Sequence, residues 1–229
     1  MTYEDTLKEK GYVITESNIS DWDKDTFTAI NHSTFIYCIA GSVTIEINMI
    51  EYTLRTNSYV SIPDDSIVKV ISRSDDFNSL RLAYTKDAGL TASIGMNIDT
   101  MQNIFLNPCN HLTNATEIAL FMNMLGSLLE YSRMPNFLHH SDFAYGQIRC
   151  LFLAIAEIGA ISRNAASQST VFTSADSYFI NFIKLLNKHC RQQHDVAFYA
   201  DKLSITPKYL NEIARKTPDF VIAYPKNLH

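Results

Sequence analysis

The sequence predicts an α+β fold: an N-terminal β-barrel, a helical segment, and a C-terminal all-α helix-turn-helix unit. Three observations predict it. Apolar residues recur with period two between Thr26 and about Lys86. From Ile118 the recurrence changes to threes and fours. After Asp195, two short capped helical stretches stand three residues apart.

The barrel is predicted strand by strand. Val43, Ile45 and Ile47 alternate with Thr44, Glu46 and Asn48, as in a half-buried strand, and Gly41-Ser42 turns the chain into it from the apolar run Thr34–Ala40. Further strands are expected at 51–55, 59–62, 67–72 and 79–84, each bounded by Asn, Asp, Ser or Pro. Many short strands with regular turns form a sandwich or barrel. Next, Ile118, Phe121, Met122, Leu125, Leu128 and Leu129 stripe one helix, which Met134-Pro135-Asn136 ends. A second helix is expected from about Ser141 to Arg163. Its Ala144, Ile148, Leu151, Ile155, Ile158 and Ser162 keep heptad spacing, and Phe152, Leu153 and Ile161 widen the apolar surface. Such a helix has two faces to bury, one on the barrel and one on a second subunit, unless it is an ordinary core helix of a monomer. The polar, aperiodic run from Asn164 (NAASQSTVFTS) is a linker. The domain boundaries are therefore residues 1–112 for the barrel, 113–164 for a helical dimerisation segment, 165–175 for the linker and 176–229 for the helix-turn-helix.

Composition narrows the function classes. The 229 residues are 46% hydrophobic and 19% charged, a globular balance. Cys38, Cys109, Cys150 and Cys190 form no C-x-x-C pair, which argues against a zinc cage or disulfide framework and fits a reducing cytoplasm. No signal peptide or membrane span is expected. Residues 1–175 hold 11 Lys/Arg against 19 Asp/Glu, whereas residues 176–229 hold 8 against 5. A polyanion would meet the basic tail.

The decisive stretch is Asp195–Thr217, DVAFYADKLSITPKYLNEIARKT. Asp195 can cap a helix from Val196 to Leu203, and Thr206 can cap a second with Pro207 in its first turn. Only Ser204-Ile205-Thr206 separates them, which forces a sharp crossing. Tyr199, Leu203, Ile205, Leu210 and Ile213 supply the apolar packing and Ala200 the close approach. Ser204 stands at a turn position often given to Gly, where φ > 0 would cost a non-Gly residue about 1 kcal/mol. At 100° per residue, Lys208, Asn211, Glu212 and Arg215 lie opposite Leu210, Ile213, Ala214 and Thr217. That outward set carries the chemistry of major-groove readout: Lys and Arg donate to guanine or phosphate, Asn pairs with adenine, and Glu accepts from cytosine. Tyr209 and Lys216, on the flank, suit backbone contacts.

YADKLSITPKYLNEIARKT resembles the first helix-turn-helix of the AraC/XylS family of regulators. Tyr178–Cys190 (YFINFIKLLNKHC) resembles that domain's leading helix, and GSVTIE at Gly41 and NSYVSIP at Asn57 resemble the family's cupin-like sensor barrel. The resemblance implies a transcription regulator that reads double-stranded DNA with Lys208, Tyr209, Asn211, Glu212 and Arg215, and whose barrel senses a sugar or other metabolite. Family members continue with a Gly-containing turn, a long helix and a second helix-turn-helix. Here Pro218–His229 (PDFVIAYPKNLH) departs from that pattern. The expectation is a reading head cut in half by a frameshift or premature stop, with DNA binding that is weak and strongly salt-sensitive, or absent in vitro.

The barrel offers catalysis no visible home. It has no H-x-H pair, no His after Pro63, no G-x-S-x-G and no phosphate-cradling Gly loop. The His139-His140 pair is read as surface, and the Asp pairs 64/65 and 75/76 as turns. No cofactor, no metal and no enzymatic activity are expected. Trp22, Tyr37, Tyr52, Arg55 and Tyr59 are candidate pocket residues, equally readable as core or surface. The expected partners are DNA and a small-molecule effector, in a cytoplasmic homodimer. A cyclic-nucleotide sensor has the same order of parts, but its Gly- and Arg-containing phosphate loop is not evident. The alternative from another class is a cupin-like ligand-binding protein or enzyme whose C-terminal helices are only structural.

Overall fold

A computed structural model describes residues 3–22, 26–97, 100, 104, 108–134, 138–165, 178, 181–182, 185, 189 and 192–216. The fold is α+β, as expected. A short helix α1 (Tyr3–Lys10) precedes the strands β1 (Tyr12–Ser17), β2 (Thr28–Ile30), β3 (Ser33–Ala40), β4 (Ser42–Ile47), β5 (Ile50–Arg55), β6 (Ser58–Ile62), β7 (Ser66–Arg73) and β8 (Asn78–Tyr84). Helix α2 (Lys86–Ser93) and strand β9 (Cys109–His111) follow, then α3 (Ala115–Arg133), α4 (His140–Ala165), α5 (Val196–Lys202) and α6 (Pro207–Lys216). The strands expected from alternation are all present, with ends moved by a residue or so. Added to them are α1, β1, β2, α2 and β9, which have no strong period of their own.

The strands form two antiparallel sheets in the orders β1-β8-β3-β6-β9 and β2-β7-β4-β5. Between them lies one core, with Ile36, Cys38, Val60 and Ile62 from the first sheet meeting Val43, Ile45, Leu54 and Val68 from the second. The outer face of the five-stranded sheet makes a second core. There Phe35, Tyr37, Tyr59, Leu80, Leu82 and Tyr84 pack against Phe121, Leu125 and Leu128 of α3 and Ile148, Leu151 and Phe152 of α4. The sheet is thus buried on both faces, which is why β3 reads as an uninterrupted apolar run. Phe121 is fully buried and stacks on three rings at once: Tyr59 at 5.2 Å, Tyr37 at 5.9 Å and Phe35 at 6.0 Å between centroids.

Turn chemistry sets the registers. Gly41, at φ +69°, joins β3 to β4, and a Cβ there would stand 2.5 Å from Ser74 Oγ and 2.7 Å from Phe77 N. The β4–β5 hairpin turns through Asn48 and Met49, both at positive φ, as a two-residue primed turn requires. Asn48 Oδ1 then accepts from Ile67 N at 2.9 Å, tying the turn to β7.

The heptad positions of α4 are accounted for within the chain. Ala144, Ile148, Leu151, Ile155 and Ile158 are all buried, together with Phe152, in the core under the sheet. The opposite side of α4 carries Gly146, Cys150, Leu153 and Glu157, of which Leu153 alone is a large exposed apolar residue. The seam therefore belongs to the barrel, and no second broad apolar face is present among the described residues. The side chains of Ile161 and Ser162, and the linker beyond Ala165, lie outside those residues. The stretch His140–Ala160 is long and apolar enough to cross a bilayer by length and composition, but its apolar side is the one packed under the sheet.

The ring stack predicts a measurable cost. Phe121→Ala should lower unfolding free energy by about 3–5 kcal/mol, read from the urea midpoint at unchanged slope. An exposed control on the same helix, Asn123→Ala, should change it by less than about 0.5 kcal/mol.

Candidate nucleic-acid interface and ligand groove

The C-terminal unit is built as its sequence requires. Asp195 caps α5, its carboxylate accepting from Ala197 N at 3.0 Å. Thr206 caps α6, its hydroxyl accepting from Tyr209 N at 3.1 Å. Between them the chain closes in a Schellman motif: Ser204 N donates to Asp201 O at 2.9 Å and Ile205 N to Ala200 O at 3.0 Å. The residue that must turn left-handed is Ser204, at φ +56°. Ala200 is fully buried, and Leu210, Tyr199 and Ile213 nearly so. The leading segment supplies the third wall of this small core: Phe182 meets Tyr199 edge-on at 5.6 Å, and Tyr178 meets Tyr209 at 6.0 Å. Tyr199 also donates its hydroxyl to Gln193 O at 2.7 Å.

With Leu210 and Ile213 turned inward, Lys208, Asn211 and Glu212 are exposed on the opposite side of α6. Tyr209 differs from the sequence reading. It is half-buried, with its ring against Tyr178 and close to Ile213, so it supports the helix as well as flanking its outer face. Arg215 and Lys216 lie within the backbone of α6, but their side chains are outside the described residues, as is everything from Thr217 onward. A ten-residue helix is about 15 Å long, enough to lie in a major groove about 12 Å wide.

The second candidate site is at the open end of the barrel. A groove of about 380 Å³ has Trp22, Val70 and Phe77 at its floor and Asn18, Arg73 and Asp75 around its rim. Its near wall is the β1–β2 connection, held by three local bonds: Ser17 Oγ accepts from Ile19 N, Asn18 Oδ1 from Ser20 N, and Ile19 O from Trp22 N. The connection is strained, because the β-branched Ile19 sits at φ +51°. Complete burial of its side chain in the barrel core holds it there. Behind Trp22 lies Arg81 of β8, whose side chain is only 9% exposed. Its Nη1 donates to both oxygens of Asp21, at 2.7 and 2.9 Å, and its guanidinium lies 5.3 Å from the ring of Tyr3 and 5.7 Å from that of Trp22. Burial, with Arg81 nearby, holds the imidazole of His32 below its usual pKa, an effect that Glu4 partly offsets.

Of the candidate pocket residues, Trp22 lines this groove. Tyr37 and Tyr59 are fully buried under Phe121, Tyr52 packs against the inter-sheet core, and Arg55 is exposed. A second cavity, of about 50 Å³, lies where Ser61, Pro63 and Tyr84 meet Ile104 and Phe152. The Cys38 and Cys109 thiols are both pushed up by burial to about 11, which leaves them unreactive at neutral pH. Ser58 Oγ lies 3.2 Å from His111 Nδ1, but the same oxygen accepts from Arg55 N at 3.1 Å and Ser58 is buried, so it ties β6 to β9. No cluster of three or more metal-ligating side chains occurs among the described residues.

No family model matches the sequence, and no curated protein matches it. Solved structures of similar shape include ToxT from Vibrio cholerae bound to an unsaturated fatty acid (12% identity, 89% of this chain and 73% of that one, TM-score 0.40). A second form of ToxT from Vibrio cholerae gives 10% identity over 90% and 76%, at TM-score 0.40. The EutQ protein of Clostridium difficile gives 22% identity over 35% and 62%, at TM-score 0.27. Scores of this size establish no common family.

Two measurements test these sites. Ser204→Gly removes the left-handed strain and should raise stability by about 0.5–1 kcal/mol in thermal unfolding. His32 binds its proton more weakly folded than unfolded, so stability is full above about pH 6.5 and falls as pH drops below it. Between pH 7.5 and 5.5 the unfolding midpoint should fall in the parent protein and stay flatter in His32→Gln.

Proposed function

We propose that this chain is a sequence-specific DNA-binding transcription regulator of the AraC type, with a small-molecule sensor in its barrel. One observation carries the reading. A Schellman turn sets α5 and α6 across one another, so that Leu210 and Ile213 close the core while Lys208, Asn211 and Glu212 face outward. A guanine- or phosphate-binding cation, an adenine-pairing amide and a cytosine-accepting carboxylate on one helical face form a base-reading set. Arg215 continues it one turn on by helical spacing. The barrel contributes an open groove with Trp22, Val70 and Phe77 in its lining and Asn18, Arg73 and Asp75 around it, and we place the small-molecule site there. The protein acts in the cytoplasm, without a cofactor and without catalytic activity, and binding in the groove biases promoter occupancy.

Selection from a randomised duplex pool at low salt, followed by titration of the winning sequence, tests the reading. The affinity should fall steeply as salt rises, because phosphate contacts release counterions. Asn211→Ala should relax preference at one base position and cost about 1–3 kcal/mol on the selected site, whereas Lys216→Ala should weaken every duplex alike. An unenriched pool, with no salt-dependent affinity for any duplex, would overturn the proposal.

A further inference from the structure

The two sheets end in the edge strands β1, β9, β2 and β5. β2 and β9 are three residues long, and β1 runs beside α3, where Arg133 lies 3.5 Å from Glu16. β5 is different. Its six residues pair with β4 in unbroken register and include no Pro and no Lys, the residues that commonly guard an edge. β9 comes near β5 on the inner side, where Tyr52 and Cys109 pack against the core between the sheets.

The hairpin fixes what this edge offers. A two-residue turn makes Ile47 and Ile50 a hydrogen-bonded pair, so the next such pairs are Ile45–Tyr52 and Val43–Leu54. Glu51, Thr53 and Arg55 therefore turn their backbone N–H and C=O groups away from β4. Their side chains are all exposed, on the solvent face of the sheet. One of these donors is already used, since Arg55 N donates to Ser58 Oγ at 3.1 Å. The charges are unsettled as well. Glu51 stands opposite Glu46, a like charge, on the β4 side. Neither Glu51 nor Arg55 makes an ion pair among the described residues.

A second β5 laid antiparallel along this edge must pair outward-pointing residues with each other. Centring the pair on Glu51 sets glutamate on glutamate, and centring it on Arg55 sets arginine on arginine. Centres at Tyr52 or Leu54 match one charge with Thr53 and leave the other without a charged partner. Centring on Thr53 sets Glu51 against the partner's Arg55 and Arg55 against the partner's Glu51. We infer that β5 is a docking edge for a second copy of this chain, joined about a two-fold axis at Thr53 so that two four-stranded sheets become one. Thr53 exchanges both backbone bonds with the partner's Thr53, and Glu51 N donates to the carbonyl of the partner's Arg55. The two ion pairs lie on the solvent face and set the register. The contact is small for a protein pair, so the dimer is weak and reversible. It is independent of what α6 reads.

Sedimentation of the full chain without DNA, over loadings of about 5 to 500 μM, tests the pairing. A monomer–dimer equilibrium is expected, and it should shift toward monomer as salt rises. Arg55→Glu leaves only acids at the paired positions, and Glu51→Arg leaves only bases. Each variant alone should dimerise at least about tenfold more weakly than the parent, with circular dichroism unchanged. An equal mixture of the two should dimerise as the parent does, because every acid then meets a base. The chain carrying both substitutions should do the same. A parent monomeric at every loading, single variants that dimerise as well as the parent, or a mixture that stays monomeric would each rule the pairing out. Since no DNA enters the measurement, its failure leaves the DNA-binding reading standing, and a failed DNA selection leaves the pairing intact.

Discussion

The five-stranded sheet has no solvent face at its centre, and the rest of the chain is arranged around that constraint. β3 sends Phe35 and Tyr37 to the helices and Ile36 and Cys38 to the opposite sheet, so neither layer can be removed without exposing the other. Helices α3 and α4 are fixed by what the outer face demands: a flat aromatic ring from α3 over three rings of the sheet, and the heptad side of α4 beside it. The inner face is fixed with equal force. Burial there makes a charged residue conspicuous, and it is what gives Arg81 its electrostatic weight at the barrel mouth.

Much of this was legible in the residues. Alternation in Val43–Ile47 located a strand whose other face meets water, because there the period is the burial. Asp195, Thr206 and Pro207 located two helix starts, because capping is local chemistry that tertiary packing did not override. Less visible were elements whose partners lie far off. KDAGLTAS in α2 has no stripe, and CNH in β9 is strand only because β6 offers it an edge. The wide apolar surface of α4 was read as one face for the barrel and one for a second subunit, and spacing alone did not say which of them the heptad seam would serve. Ring-lined β3, β6 and β8 decided for the sheet. The candidate site divided the same way. The outer set on α6 follows from spacing, with Tyr209 drawn partly inward by Tyr178, a neighbour some thirty positions earlier in the chain. Arg81 was missed because Leu80, Leu82 and Tyr84 alternate with Ser79, Arg81 and Ala83 as if one face were solvated.

The two candidate sites use backbone strain in different ways. At Ser204 the left-handed residue terminates α5 and aims α6, so the strain fixes an angle between helices and has a permanent use. At Ile19 it is confined to a short connection whose neighbours are an exposed acid and the aromatic wall of the groove. The first stiffens a reader; the second leaves a place where the barrel can yield without disturbing its ladders.

The two-sided burial of β3 also bears on how this barrel can diverge. Slipping β3 by one residue exchanges Phe35 and Tyr37 for Ile36 and Cys38, sending aromatic rings between the sheets and small side chains under the helices. An insertion or deletion there therefore scrambles two cores together, whereas the Asn48–Met49 hairpin tip, with Met49 88% exposed, can absorb length changes. Descendants of this barrel should thus keep the length of their central strand while their hairpin tips drift, making β3 the fixed ruler against which distant copies can be aligned.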